Sequence, residues 1–116
     1  MSGIVIYRNP KCTKSRQTLS LLQGRGIQPT IIEYLNTPPD AATLDQILGL
    51  LGREPRDLIR SKKTIYKEVG ADDAKLDRLA LIDIMVANPI LIERPIVLAN
   101  GKAAVGRPPE EVLAII

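Results

Sequence analysis

Short continuous apolar runs, rich in β-branched residues, stand near both ends of the chain, and apolar positions recur with a period near 3.6 in its middle. Gly3-Ile4-Val5-Ile6-Tyr7 is a β-branched run suited to a buried strand, and Arg8-Asn9-Pro10-Lys11 breaks it. A helix is expected from about Thr13 to Gln23, with Leu19 and Leu22 on its inner face, stopping at Gly24 or Gly26. Thr30-Ile31-Ile32-Glu33-Tyr34 reads as a second strand. Strand, helix and strand in close succession make a βαβ unit, so the two strands should run parallel.

Thr37-Pro38-Pro39-Asp40 then reads as a helix start, with Thr37 as cap, Pro38 in the first helical position and Asp40 near the positive end. Leu44, Ile47, Leu48 and Leu51 recur at i, i+3, i+4 and i+7, one stripe of a helix that Gly52 stops. Pro55 to Arg60 and Thr64 to Glu68 are short helical pieces. Asp77 to Ala87 is another helix, with Leu81, Ile82, Met85 and Val86 inward, closed by Asn88-Pro89.

Ile96-Val97-Leu98-Ala99 and Lys102-Ala103-Ala104-Val105 flank Asn100-Gly101, the preferred pair for a type I′ hairpin, in which both central residues need positive φ. Pro108-Pro109-Glu110-Glu111 opens a last helix through Val112, Leu113 and Ile116. The order β-α-β, a helical block, then β-β-α is a thioredoxin-like α/β arrangement. A βαβ half and a ββα half would share a mixed four-stranded sheet. The helical block, from about residue 38 to 92, would be an insertion within a single domain spanning 1–116.

Composition narrows the chemistry. Of 116 residues, 45% are hydrophobic and 25% charged, as in an ordinary globular protein. With no Phe and no Trp, the core must be built from Ile, Leu and Val. The absence of His removes Ser-His-Asp and Cys-His catalysis and every His-ligated metal site. A single cysteine, Cys12, excludes an internal disulfide and a multi-thiolate metal centre, and suits a reducing cytoplasm. The net charge of +3 fits a small anionic ligand, and without a basic run or stacking aromatics no nucleic acid is expected. Neither a signal peptide nor a membrane span is expected from the first residues or from any later apolar run.

Cys12 is the candidate nucleophile. It follows a buried strand and precedes a helix, where backbone N–H groups and the helix dipole favour a thiolate. Arg8, Lys11, Lys14 and Arg16 add positive charge nearby. In Cys12-Thr13-Lys14-Ser15, Ser15 occupies the place of the second cysteine of a redox C-x-x-C, so a resolving thiol must come from another molecule. Arg60, Arg94 and Arg107 are candidate anion binders, because a guanidinium is a planar fork of donors suited to a tetrahedral oxyanion. In a thioredoxin-like fold the loop before the third strand lies beside the cysteine and its proline, here Pro95, is often cis. That would bring Arg94 to the thiol.

The segments Ile6-Tyr7-Arg8-Asn9-Pro10-Lys11-Cys12-Thr13-Lys14-Ser15-Arg16, Glu33-Tyr34-Leu35-Asn36-Thr37-Pro38-Pro39, Asn88-Pro89-Ile90-Leu91-Ile92-Glu93-Arg94-Pro95-Ile96-Val97 and Gly106-Arg107-Pro108-Pro109 run in order over nearly the whole chain. In these segments the chain resembles the glutaredoxin-coupled arsenate reductase family. The resemblance implies that Cys12 attacks arsenate as a thiolate and that Arg60, Arg94 and Arg107 hold arsenate and the arsenite formed. It also implies that glutathione as co-substrate and glutaredoxin as partner supply the reducing thiols, with no bound cofactor and no metal. Arg8 stands where characterised reductases carry a histidine, and a permanent cation there is expected to favour the thiolate. The alternatives are a glutathione-linked thiol-disulfide reductase with a different substrate, and an Spx-like regulator that binds RNA polymerase. Spx-like regulators generally use a C-x-x-C switch, which Ser15 removes.

Overall fold

The computed structural model describes residues 3–116; Met1 and Ser2, at the start of the region where no signal peptide is expected, lie outside them. The chain forms two compact units, Met1–Thr37 with Arg94–Ile116, and Pro38–Glu93.

The first unit holds β1 (Val5–Arg8), α1 (Thr13–Gly24), β2 (Thr30–Glu33), β3 (Ile96–Ala99), β4 (Lys102–Val105) and a 3₁₀ segment, Pro109–Ile115. The strands form one sheet in the order β2-β1-β3-β4. β1 is parallel to β2, with Arg8 opposite Glu33, and antiparallel to β3, with Tyr7 opposite Ile96. β3 and β4 pair antiparallel. This is the mixed four-stranded sheet of a thioredoxin-like α/β fold. Asn100 (φ 55°) and Gly101 (φ 71°) take the left-handed conformations that the type I′ turn demands. The Asn100 side-chain amide then donates to the Ile115 carbonyl at 2.8 Å, tying the turn to the C-terminal segment.

Ile6, Leu19, Leu22, Val97, Ala99, Val112 and Ile115 make the core of this unit. Burying each large aliphatic side chain contributes about 1.5–3 kcal/mol before conformational entropy is counted. Leu19 and Leu22 are the inner positions that the helical spacing predicts. The last helix differs from expectation in being 3₁₀ rather than α. Pro109, Val112 and Ile115 are all buried and stand three residues apart. Three residues per turn puts them on one face, whereas an α-helical winding would rotate them off it.

The second unit is helical: α2 (Ala41–Leu51), α3 (Pro55–Leu58), α4 (Thr64–Glu68), α5 (Arg78–Ala87) and a 3₁₀ turn, Pro89–Leu91. It buries Leu44, Ile47 and Leu48 from α2 and Leu81, Ile82 and Met85 from α5, as their spacing predicts. The start of α2 corrects the sequence reading. Asp40, not Thr37, is the cap, and its carboxylate accepts the Thr43 N–H at 2.8 Å. A proline biases the preceding residue toward extended conformations, so Pro38-Pro39 leads into the helix instead of opening it. Asp77 caps α5 in the same way, through the Ala80 N–H at 2.9 Å. No helix among the described residues is long and apolar enough to cross a membrane.

Candidate active site

The loop from β1 to α1 is built around Asn9. Its side-chain oxygen accepts the Lys11 N–H at 3.0 Å, and its carbonyl accepts the Cys12 N–H at 2.9 Å. Its own N–H donates to the Ser15 hydroxyl oxygen at 3.2 Å. Asn supports such turns because its short side chain can bond backbone two residues on. The turn leaves Cys12 extended (φ −90°, ψ 126°) as the N-cap of α1, while its carbonyl already accepts from Arg16 N–H at 3.0 Å. The sulfur therefore sits at the positive end of the helix.

Only 9% of Cys12 is exposed. Burial pushes its thiol up, since a thiolate is disfavoured away from water. Hydrogen bonds from the Ser15 N–H and hydroxyl, the positive charge of Arg94, and a hydrogen bond from the Lys14 N–H act the other way, and the net pKa is lowered. Ser15 is fully buried and bridges the site. It gives its hydroxyl hydrogen to the sulfur and receives the Asn9 N–H on its oxygen. Ser15 thus occupies the position of a resolving cysteine but acts as a thiolate-stabilising donor.

Arg107 closes the other side. Its Nη2 lies 3.7 Å from the Cys12 sulfur, and its Nε donates to the Arg94 carbonyl at 2.8 Å. The two arginines are thereby braced against each other beside one sulfur. Arg94-Pro95 is cis, as the fold leads one to expect, and Arg107-Pro108 is cis as well. Gly106 sets where Arg107 starts. Its N–H donates to the Pro95 carbonyl at 2.9 Å. A Cβ on it would lie 2.5 Å from Thr18 Oγ1 and 2.8 Å from Pro95 Cγ, so only glycine fits between α1 and the proline.

Arg8 and Arg60 make other contacts. Arg8 donates to Glu33 at 3.2 Å across the parallel pair β1–β2. The strand register explains the pair, because Arg8 and Glu33 are direct cross-strand partners. Arg60 belongs to the second unit, just after α3. Its N–H donates to the Leu91 carbonyl at 2.7 Å, and its Nη1 lies 3.4 Å from the Ile90 carbonyl. The structure thus gathers Cys12, Ser15, Arg94, Pro95 and Arg107 within the first unit. The contributions of Asn9 and Gly106 were not singled out by sequence reasoning. Asn-Pro directly after a strand was the available signal for the first; nothing local marked the second.

A buried thiol with a lowered pKa at a helix N-terminus, with the Arg107 guanidinium 3.7 Å away and the charge of Arg94 acting on it, is chemically suited to attack a small oxyanion. The cations lower the repulsion that would otherwise keep two negative groups apart.

Comparison with known proteins agrees with this arrangement. Residues 7–115 match the ArsC family. The chain is 50% identical over 117 residues to an arsenate reductase of Neisseria meningitidis serogroup A, covering 100% of each. It is 54% identical over 114 residues to an uncharacterised Escherichia coli protein, YfgD, covering 97% of this chain and 96% of that one. The solved arsenate reductase from Vibrio cholerae superposes with a TM-score of 0.94 at 49% identity, covering 97% of both chains.

Proposed function

The chain belongs to the ArsC family, and from that premise we propose that it reduces arsenate to arsenite with glutathione and glutaredoxin as the source of reducing thiols. The observation that carries the proposal is the 3.7 Å approach of Arg107 Nη2 to a Cys12 sulfur whose pKa is lowered. In the first step the Cys12 thiolate attacks arsenic(V). A sulfur–arsenic bond forms, an arsenic–oxygen bond breaks, and the departing hydroxide leaves as water after taking up a proton. Arg94 and Arg107 hold the oxyanion against the thiolate, and Arg60 is assigned to the same task by the family resemblance.

In the second step a glutathione thiolate attacks the Cys12 sulfur. The sulfur–arsenic pair stays on arsenic, which becomes arsenic(III) and departs as arsenite. The two sulfurs form a mixed disulfide, having supplied the two electrons. Glutaredoxin attacks the glutathione sulfur of that disulfide, releases Cys12 as thiolate and carries the glutathione away. An external thiol is required because the chain has one cysteine. Such thiols are abundant in a reducing compartment such as the cytoplasm, where we place the reaction.

The test is a coupled assay with glutathione, glutaredoxin, glutathione reductase and NADPH. Wild type should show arsenate-dependent NADPH oxidation. Cys12→Ser should lose it by on the order of 10³-fold or more, as when a covalent nucleophile is removed. Wild type without arsenate-dependent oxidation would overturn the proposal.

A further inference from the structure

A groove of about 650 Å³ runs between the outer face of α1 and the segment that follows Arg107. Its size is within the range of about 300–1,000 Å³ seen for small-ligand pockets. Its two walls begin at the reacting groups. One starts at Thr13, the residue after Cys12; the other starts at Pro108, the residue after Arg107. On the first wall stand Lys14 and Arg16, and Arg16 is anchored by its Nη1 donating to the Pro10 carbonyl at 3.2 Å. On the second wall stands Glu110. The groove thus offers two cations and one carboxylate, lined in between by Gln17 and Ser20, which can bond peptide groups.

We infer that this groove is the binding site for the reducing thiol, a small zwitterionic thiol tripeptide of the glutathione type. The inference rests on the proposal that an external thiol resolves Cys12, and it locates that thiol. The charge pattern selects the ligand. Glutathione carries two carboxylates and one ammonium, the inverse of Lys14, Arg16 and Glu110. A ligand seated along α1 with its carboxylates on the two cations and its ammonium on Glu110 carries its sulfur toward Thr13, the lining residue that follows Cys12. An inorganic oxyanion needs none of this length.

The test uses the full chain and does not depend on arsenate. Cys12 is reacted with oxidised glutathione: the thiolate attacks one sulfur, the mixed disulfide forms, and one glutathione thiolate leaves and takes up a proton. The same reaction is run with 2-hydroxyethyl disulfide, which is neutral. Wild type should prefer oxidised glutathione. Lys14→Glu with Arg16→Glu should cut the rate with oxidised glutathione about tenfold or more relative to the neutral disulfide, as expected for losing two cation–carboxylate contacts. Glu110→Lys should erode the same preference, and a general change in thiol reactivity would move both rates together. In parallel, S-methylglutathione, which cannot react, should shift amide resonances of Thr13, Gln17, Ser20 and Glu110.

An unchanged preference in these variants, or shifts mapping elsewhere, overturns the inference. Failure of the arsenate proposal is distinguishable. It leaves the glutathione preference intact with no arsenate-dependent turnover, whereas failure of the groove leaves turnover intact with an unaltered KM for glutathione.

Discussion

Two arginines, one in each unit, contrast a guanidinium committed to neutral oxygens with one directed at a thiol. Arg56, in α3, donates to the Tyr66 hydroxyl and to the carbonyls of Ala71 and Asp73. All three partners are neutral oxygens of its own unit, and two are loop carbonyls; that of Asp73 also accepts the Leu76 N–H at 3.2 Å. Arg107 also uses one donor on a carbonyl, that of Arg94, but it directs Nη2 at the Cys12 sulfur. One guanidinium holds a loop; the other is positioned by a loop and faces a group that ionises. A count of basic residues cannot tell these apart, and the identity of the acceptor can.

The comparison is most sharply tested by truncating each arginine. Arg107→Ala should lower kcat/KM for arsenate by about 10²–10³-fold, the usual cost of losing a donor aimed at reacting charge. Its thermal unfolding should move little. Arg56→Ala should do the reverse. Stripping the donor from the part-buried Tyr66 and Ala71 oxygens should cost roughly 1–3 kcal/mol in denaturant unfolding, while the folded protein keeps its kcat/KM. Should Arg56→Ala lose activity without stability, the distinction between the two would collapse.

Gly106→Ala is expected to cost about 1–3 kcal/mol in the same unfolding measurement, because the added methyl overpacks against Thr18 and Pro95. It should also lower kcat/KM, since Arg107 is the next residue. A variant as stable and as active as wild type would show that this close approach does not position the guanidinium.

Ser15→Ala should give the smallest effect. It removes one of the hydrogen bonds that lower the Cys12 thiol, so the pH profile of alkylation should move upward, with about tenfold or less thiolate lost at neutral pH. The linkage to stability has a defined sign. With its folded pKa below its unfolded one, Cys12 contributes stability that is fully present above the unfolded value. That contribution is lost as pH falls through the folded value. Unfolding measured against pH in wild type and Cys12→Ser should diverge in that window, and parallel curves would remove the case for an activated thiol.

Much of this molecule was legible before its coordinates. The β-branched run through Val5 and Ile6, the Asn100-Gly101 pair and the stripe through Leu44, Ile47 and Leu48 are local signals with local causes. They report side-chain size, φ preference and helical period over a few residues. Arg8 shows where that reading stops. Its place four residues before Cys12 made it a supporting cation on paper, yet it pairs with Glu33, 25 residues away in sequence. The cap of α2 moved from Thr37 to Asp40 for a nearer reason, the stiffness of two prolines.

What the chain determined by itself was most of its elements, the single cysteine, and the absence of a second thiol within the sequence to pair with it. These follow from residue identity and short-range geometry. Only the folded structure decided which cations serve that cysteine. Arg94 and Arg107 are 82 and 95 positions from Cys12 along the chain. They reach it because β3 lies beside β1 and β4 beside β3, a pairing carried by backbone hydrogen bonds over long separations. Electrostatics then acts through distance in space, and no spacing along the chain encodes that distance.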